Sequence, residues 1–232
     1  EPEELQQYVL RYLALPHDLD GKRVLISAGP TQESLDPVRY LTNHSTGKMG
    51  YALARMAMLR GADVTLVSGP VSITPPPFVR VVLVISAQDM YAEITSRAPQ
   101  SDYIFMAAAV ADYTPVQYSD DKIKKQDGNM QISLKRTQDI LGYLGEHRTD
   151  DQIICGFSME TRDMLENSWA KLQKKHVDMI CANNLKVPGA GFGVDTNVIT
   201  IITQADTTEL PLLSKEEVSN TILGKAIALS KQ

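Results

Sequence analysis

RVLISAGPTQESLDPVRYLTNHSTGKMGYALARMAML, residues 23–59, decides the fold class. Arg23 to Ser27 is an apolar run that reads as a buried strand, and Met49 to Leu59 carries apolar residues at helical spacing. Between them stands a polar stretch far longer than the handful of residues a strand-to-helix connection usually takes. A loop of that kind, from Ala28 to Gly50, is expected to be kept for a ligand. Gly29 and Pro30 suit a sharp turn off the strand. Gly47 and Gly50 are expected to let a ligand approach the helix start, where unpaired amides favour an anion.

Outward from this unit the pattern repeats. Val64–Val67 and Val79–Ile85 read as strands, and Ser86 caps a helix carrying Met90 and Ile94. Tyr103–Met106 is a strand running into Ala107–Asp112, and a polar, lysine-bearing segment extends to Asn129. Met130–Leu134 alternates like a strand, Ile140–Leu144 reads as helix and Ile153–Phe157 as strand. Met164–Lys175 is a helix with Leu165, Trp169 and Leu172 on one face, and Met179–Ala182 is another strand. Beyond a glycine-rich loop at Gly189–Gly193, the runs Val198–Ile202 and Glu209–Leu213 read as a hairpin. A last helix spans Lys215–Leu229. Alternating strands and helices imply an α/β class fold: a Rossmann-like, doubly wound, mostly parallel sheet with the hairpin at one edge. Ahead of it, Glu3–Leu13 forms an amphipathic helix through Leu5, Tyr8, Val9 and Tyr12, followed by a linker at Pro16–Gly21. Residues 1–20 are thus read as a helix and linker left from a preceding domain, and 21–232 as one domain.

Composition narrows the function. The 232 residues carry a net charge of -5 and are 43% hydrophobic, which is an ordinary globular balance without the basic face that nucleic acid or an anionic membrane needs. No apolar run approaches the roughly 20 residues of a membrane span. Cys155 and Cys181 lie in apolar strand runs and read as buried, reduced thiols of a cytoplasmic protein.

In such a sheet ligands collect beyond the carboxyl ends of the strands. The polar loops there are Ala28–Thr46, Ala107–Lys125 and Ser158–Thr161. The common nucleotide signatures fail. G-x-G-x-x-G is absent after the first strand, and Val67 is followed by Ser68-Gly69-Pro70 rather than by a ribose-binding acid. A tyrosine with a lysine four residues on occurs once, at Tyr118 and Lys122, inside the polar lysine-bearing segment rather than in a helical run. In the phosphate-loop frame Thr42 replaces the first glycine and Met49 follows Lys48. An NAD(P)-dependent oxidoreductase is therefore disfavoured. A non-catalytic nucleotide sensor is the other alternative.

Taken together, Ala28–Glu33, Asp36–Arg39, Asn43–Gly50, Ala107–Tyr113, Lys122–Lys125, Gly156-Phe157 with Glu160-Thr161, and Ile180–Asn183 resemble phosphopantothenoylcysteine synthetase. The resemblance runs from about Gly21 to the end. It implies ligation of 4'-phosphopantothenate to L-cysteine with CTP, through an acyl-cytidylate, with release of pyrophosphate and then CMP. By resemblance Asn43 is the catalytic asparagine and Lys122 the lysine of a flap that reaches the triphosphate. Ala107, Ala108 and Ala109 match the segment whose backbone reads the cytosine. Asp112, Gln138, Asp139, Ile140, Leu141, Phe157, Lys171 and Lys175 match further nucleotide contacts, and Lys171 and Lys175 lie one helical turn apart. Arg39 and Lys48 are candidates for the substrate phosphate. Magnesium is expected on the triphosphate, held through phosphate oxygens and water rather than by a protein cage. A homodimer is implied too, whereas FMN belongs to a decarboxylase domain that this chain does not include. The sequence departs from the family's Asn-Pro-Asp-Ile at Thr137-Gln138-Asp139-Ile140, and carries Ser158-Met159 where alanines are common.

Overall fold

The computed structural model describes residues 2–125, 128–160, 163–184, 191 and 193–231. Helix α1 (Pro2–Leu13) precedes β1 (Arg23–Ala28). The long loop after β1 is not irregular throughout, since β2 (Gln32–Ser34) and β3 (Tyr40–Thr42) pair as a small antiparallel ribbon. Then come α2 (Lys48–Leu59), β4 (Asp63–Ser68), β5 (Arg80–Leu83), α3 (Ala87–Arg97) and β6 (Tyr103–Met106). A second ribbon pairs β7 (Tyr113–Pro115) with β8 (Leu134–Arg136). It is followed by α4 (Ile140–Glu146), β9 (Ile153–Glu160), α5 (Met164–Lys175) and β10 (Met179–Asn184). The chain closes with β11 (Thr196–Asn197), β12 (Ile199–Thr203), β13 (Thr207–Glu209), β14 (Leu213–Ser214) and α6 (Lys215–Leu229).

The central sheet has the order β13-β12-β10-β9-β6-β1-β4-β5. From β5 to β10 every pairing is parallel, and the β12–β13 hairpin adds on antiparallel at one edge. The chain runs from β1 through β4 to β5, then crosses back to β6 on the other side of β1. Strand order therefore reverses between β1 and β6, and a crevice opens there past the strand ends.

Strand geometry sends alternate side chains to opposite faces. Val24, Ile26, Phe105, Cys155 and Cys181 join α2 and α6 in one buried core, while Leu25, Ile104, Ile154 and Ile180 join α3, α4 and α5 in the other. Both faces are covered, which is why these strands read as continuous apolar runs rather than alternating ones. The two thiols are buried and free, with sulfurs 3.6 Å apart. Helix α3 starts on a capping box in which Ser86 and Asp89 exchange hydrogen bonds.

Several expectations need correction. At Gly50 an added Cβ would stand 2.5 Å from the Ala28 Cβ and 2.9 Å from the Ser27 carbonyl oxygen. This glycine therefore lets α2 cross β1 closely, a packing role rather than room for a ligand. Met130–Leu134 is not a strand, because pairing with β7 begins only at Leu134. The second hairpin strand lies at Thr207–Glu209, earlier than its alternation indicated, and Leu213-Ser214 pairs with Thr196-Asn197 instead. Ser158 to Glu160 continues β9 rather than forming a loop. On α5 the buried positions are Ser168 and Leu172, whereas Leu165 and Trp169 are exposed. The apolar side chains Leu5, Tyr8, Val9 and Tyr12 of α1 are likewise exposed, although Tyr8 packs edge-on against Phe78. Thr161, residues 189, 190 and 192 of the glycine-rich loop, and residues 126 and 127 of the flap lie outside the described residues.

Candidate active site

The crevice between β1 and β6 is shaped by hydrogen bonds that fix the segment after β6. The Ala108 amide donates to Ser27 Oγ (3.1 Å), the Ala109 amide to the Gly29 carbonyl (2.8 Å), and the Ala111 amide to Thr31 Oγ1 (3.0 Å). In the other direction the Thr31 amide donates to the Ala109 carbonyl (3.3 Å), and Thr137 Oγ1 to the Ala111 carbonyl (2.6 Å). Ser27 and Thr31 are fully buried, so these partners cannot be replaced by water. Asn43 reaches the same segment from the opposite wall. Its Nδ2 donates to the carbonyls of Val110 (3.1 Å) and Ala109 (3.4 Å).

Two chambers adjoin along this segment. The first, of about 690 Å³, is lined by Asp112, the run Arg136–Leu141, Phe157 and one face of α5 with Lys171, Lys174 and Lys175. The second, of about 480 Å³, is lined by Asn43–Met49, Ala107–Val110, Asn183, Asn197 and Lys215. Ala108, Val110, Asp112, Phe157 and Lys171 border both.

Cations dominate the first chamber. Lys171 donates to the Phe157 carbonyl (2.8 Å), and Lys175 bonds Asp139. Asp139 also caps α4 by accepting from the Gly142 amide (2.9 Å). Burial opposes ionisation of Asp139, but Lys175, the Gly142 amide and Lys171 outweigh it and hold its carboxyl below the usual value. In the second chamber Lys48 donates to the Gly193 carbonyl (3.0 Å) and to Asp195 (2.7 Å). Lys215, only 6% exposed, donates to the carbonyls of Gly191 (3.0 Å), Thr196 (3.0 Å) and Val194. Asn183 is buried, and among the described residues its Oδ1 has no partner.

The structure therefore brings Asn43, Lys48, Ala107–Ala109, Asp112, Gln138–Leu141, Phe157, Lys171 and Lys175 into one bipartite cleft. Two sequence candidates stand apart from it. Arg39 is engaged with Asp36 (Nε to Oδ2, 3.0 Å) and with the Ile123 carbonyl (2.7 Å). Asp36 in turn accepts from the Ile123 amide (3.1 Å). The Asp36–Arg39 turn thus holds the root of the lysine-bearing segment. Lys122, next to that root, is exposed and lines neither chamber. Arg136, Lys174, Asn183 and Lys215 are cleft residues that sequence reasoning missed. Lys174 had a signal in its place beside Lys175, whereas Lys215 reads only as an ordinary first residue of a helix. Among the described residues no group of three His, Cys, Asp or Glu side chains is placed to hold a metal ion.

Residues 19–229 match the family model described as the DNA/pantothenate metabolism flavoprotein C-terminal domain. The chain is 48% identical over its whole length to the coenzyme A biosynthesis bifunctional protein CoaBC of Bacillus subtilis, spanning 58% of that protein. It is 43% identical to a protein named cysteine/cysteine sulfinic acid decarboxylase from an unknown prokaryotic organism, spanning 66% of it. The chain therefore spans about three fifths of the length of the curated relatives it matches. Among solved structures, the C-terminal domain of CoaBC superposes with a TM-score of 0.80 at 41% identity, covering 93% of this chain and 98% of that one. With the switch-point cleft and the family match in agreement, the chain belongs to the DNA/pantothenate metabolism flavoprotein C-terminal domain family.

Proposed function

We propose that this chain ligates 4'-phosphopantothenate to L-cysteine in coenzyme A biosynthesis, using CTP and passing through an acyl-cytidylate. The observation that carries the reading is Asn43, whose amide is held against the Ala109 and Val110 carbonyls where the two chambers adjoin. In the first step a carboxylate oxygen of phosphopantothenate attacks the α-phosphorus. The bond to the bridging oxygen breaks and pyrophosphate leaves with the electron pair. In the second, the cysteine amine attacks the acyl carbon, a C–N bond forms, CMP leaves and the amine proton passes to solvent.

The chain's own groups suit this chemistry. Lys171, Lys174, Lys175 and Arg136 line the first chamber and oppose the charge of a triphosphate. In this reading Lys122, which lies outside both chambers, moves in with the loop that Asp36 and Arg39 hold at Ile123. The amides of Ala108, Ala109 and Ala111 and the carbonyls of Ala109, Val110 and Ala111 are all bonded, which holds the backbone of this segment in one fixed arrangement for a base to lie against. Magnesium enters with the nucleotide in this reading. Exposed apolar side chains at Val38, Tyr40, Tyr113, Tyr118 and Leu134, on and beside the two ribbons, are the surface a second copy of the chain would cover.

Pyrophosphate release tests the reading. CTP with phosphopantothenate should give release that CTP alone does not, and ATP should support far less, because a site built on one base edge leaves its own groups unpaired with another. CTP binding without pyrophosphate release would make the chain a sensor instead. Equal rates with the two nucleotides would remove the base assignment.

A further inference from the structure

The second chamber contains a charge arrangement that nucleotide activation does not use. Lys48 opens α2 and Lys215 opens α6, so each ammonium sits at the positive end of a helix. The two side chains hold neighbouring groups ahead of and within β11: Lys48 the Gly193 carbonyl and Asp195, Lys215 the carbonyls of Gly191, Val194 and Thr196. Two ammonium groups against the one carboxylate of Asp195 leave a positive charge uncompensated. Burial and the Lys48 charge both push the Lys215 ammonium toward losing its proton. An anion in the chamber would relieve this.

Hydrogen-bond capacity says which lysine meets it. Lys215 spends all three N–H groups on the carbonyls of Gly191, Val194 and Thr196. Among the described residues Lys48 spends two and keeps one, and it lines the chamber that also holds Asn43. A second observation points to a ligand there. Asn183, 8% exposed, lines the same chamber, and its Oδ1 has no hydrogen-bond partner among the described residues. One net positive charge suits a monoanion rather than a phosphate dianion. An orphan acceptor in the same chamber suits a ligand that also carries an N–H donor.

Resting on the ligation reading, we infer that Lys48 seats the α-carboxylate of the incoming amino acid, with Lys215 as the positioning residue that fixes Val194 and Thr196 on either side of Asp195. The amine then faces Asn183 and the acyl group beside Asn43. Recognition of the carboxylate separates cysteine from thiols and amines that lack one.

The test compares L-cysteine with cysteamine, which has the same amine and thiol but no carboxylate. The wild-type chain, given CTP and phosphopantothenate, should prefer cysteine in kcat/KM. Lys48→Gln should cut the cysteine-to-cysteamine ratio by about ten- to a hundredfold, as for loss of a charge-assisted hydrogen bond. Lys48→Arg should restore part of it. Lys215→Met, if it folds, should lower the ratio in the same direction. A ratio unchanged in Lys48→Gln overturns the assignment, and so does a loss that appears instead in KM for phosphopantothenate, since Lys48 would then bind its phosphate. A wild-type chain that releases no pyrophosphate at all removes the ligation reading itself, an outcome separable from the other two.

Discussion

Two segments that follow β6 differ in how they are held. Ala107–Asp112 is pinned on several sides: by Ser27 and Thr31 of the neighbouring strand and loop, by Asn43 across the crevice, and by Thr137 behind. The segment carrying Lys122 is held at its root, where Asp36 and Arg39 grip the backbone of Ile123 and the Ser119 amide donates to the Leu35 carbonyl (3.0 Å). In the proposed reaction the first has to present a fixed pattern of backbone groups to a base. The second has to admit a triphosphate and then approach it. Among the described residues the first is densely bonded and the second sparsely; dense buried bonding suits recognition and sparse bonding suits closure, since segments with few buried contacts open most easily.

The largest effect expected from breaking this contrast is at the end of the loosely held segment. If Lys122 meets the charge that develops on phosphorus, Lys122→Gln should slow pyrophosphate release by about a hundredfold or more, the usual loss for a preorganised donor. Thermal unfolding should be unchanged, because the side chain is exposed. Near-normal release would return Lys122 to a solvated loop charge.

Smaller but structural losses are expected in the pinned segment. Ser27→Ala leaves the Ala108 amide without its partner beside a fully buried position, which costs roughly 1–3 kcal/mol. It should also narrow the preference for CTP over ATP, because the segment that reads the base is loosened. Urea unfolding and the nucleotide ratio would check the two effects separately. A stability loss with an unaltered ratio would show that base choice is made elsewhere.

How far the sequence carries this picture follows from where the signals come from. Hydrophobic runs covered on both faces gave the sheet strands their clear outline, and the capping box at Ser86 announced α3. Met130–Leu134 misled because its alternation marks an exposed stretch beside the β7–β8 ribbon, with Met130, Ile132 and Leu134 all exposed. Alternation shows that one face differs from the other, not that a partner strand is present. Gly50 was legible as special, but whether a glycine serves a ligand or a neighbouring strand depends on what lies across from it. Lys215 left no trace, since a buried ammonium satisfied by the carbonyls of a distant loop has no local pattern. Arg39 was visible as a cation beside the loop. Its engagement with Asp36 and Ile123 is a tertiary contact.

The smallest expected effect concerns that root. Arg39 above all, helped by the amides of Val38, Ile123 and Arg39 against the opposing effect of burial, holds the Asp36 carboxyl well below its ordinary 3.8. A carboxylate depressed in the folded state stabilises the fold fully above its unfolded value and loses that contribution as pH falls through the folded one. The stability gap between wild type and Asp36→Asn should therefore be widest at neutral pH and should shrink as pH drops below 3.8. A gap independent of pH would mean that the Asp36–Arg39 pair does not hold the root.

The central claim is that Asn43 serves the acyl-nucleotide formed where the two chambers meet, and Asn43→Asp tests it most directly. A carboxylate there stands beside an anionic intermediate, while Lys171, Lys175 and Lys122 remain to hold the triphosphate. Amine attack depends on a carbonyl held and polarised by its neighbours, so it should suffer more than activation. Mass analysis of quenched mixtures of phosphopantothenate, CTP and the variant should show acyl-cytidylate accumulating, with pyrophosphate released and little CMP formed when cysteine is added. Normal cysteine-dependent CMP formation in the variant would contradict the account and leave Asn43 as a structural tie between two loops.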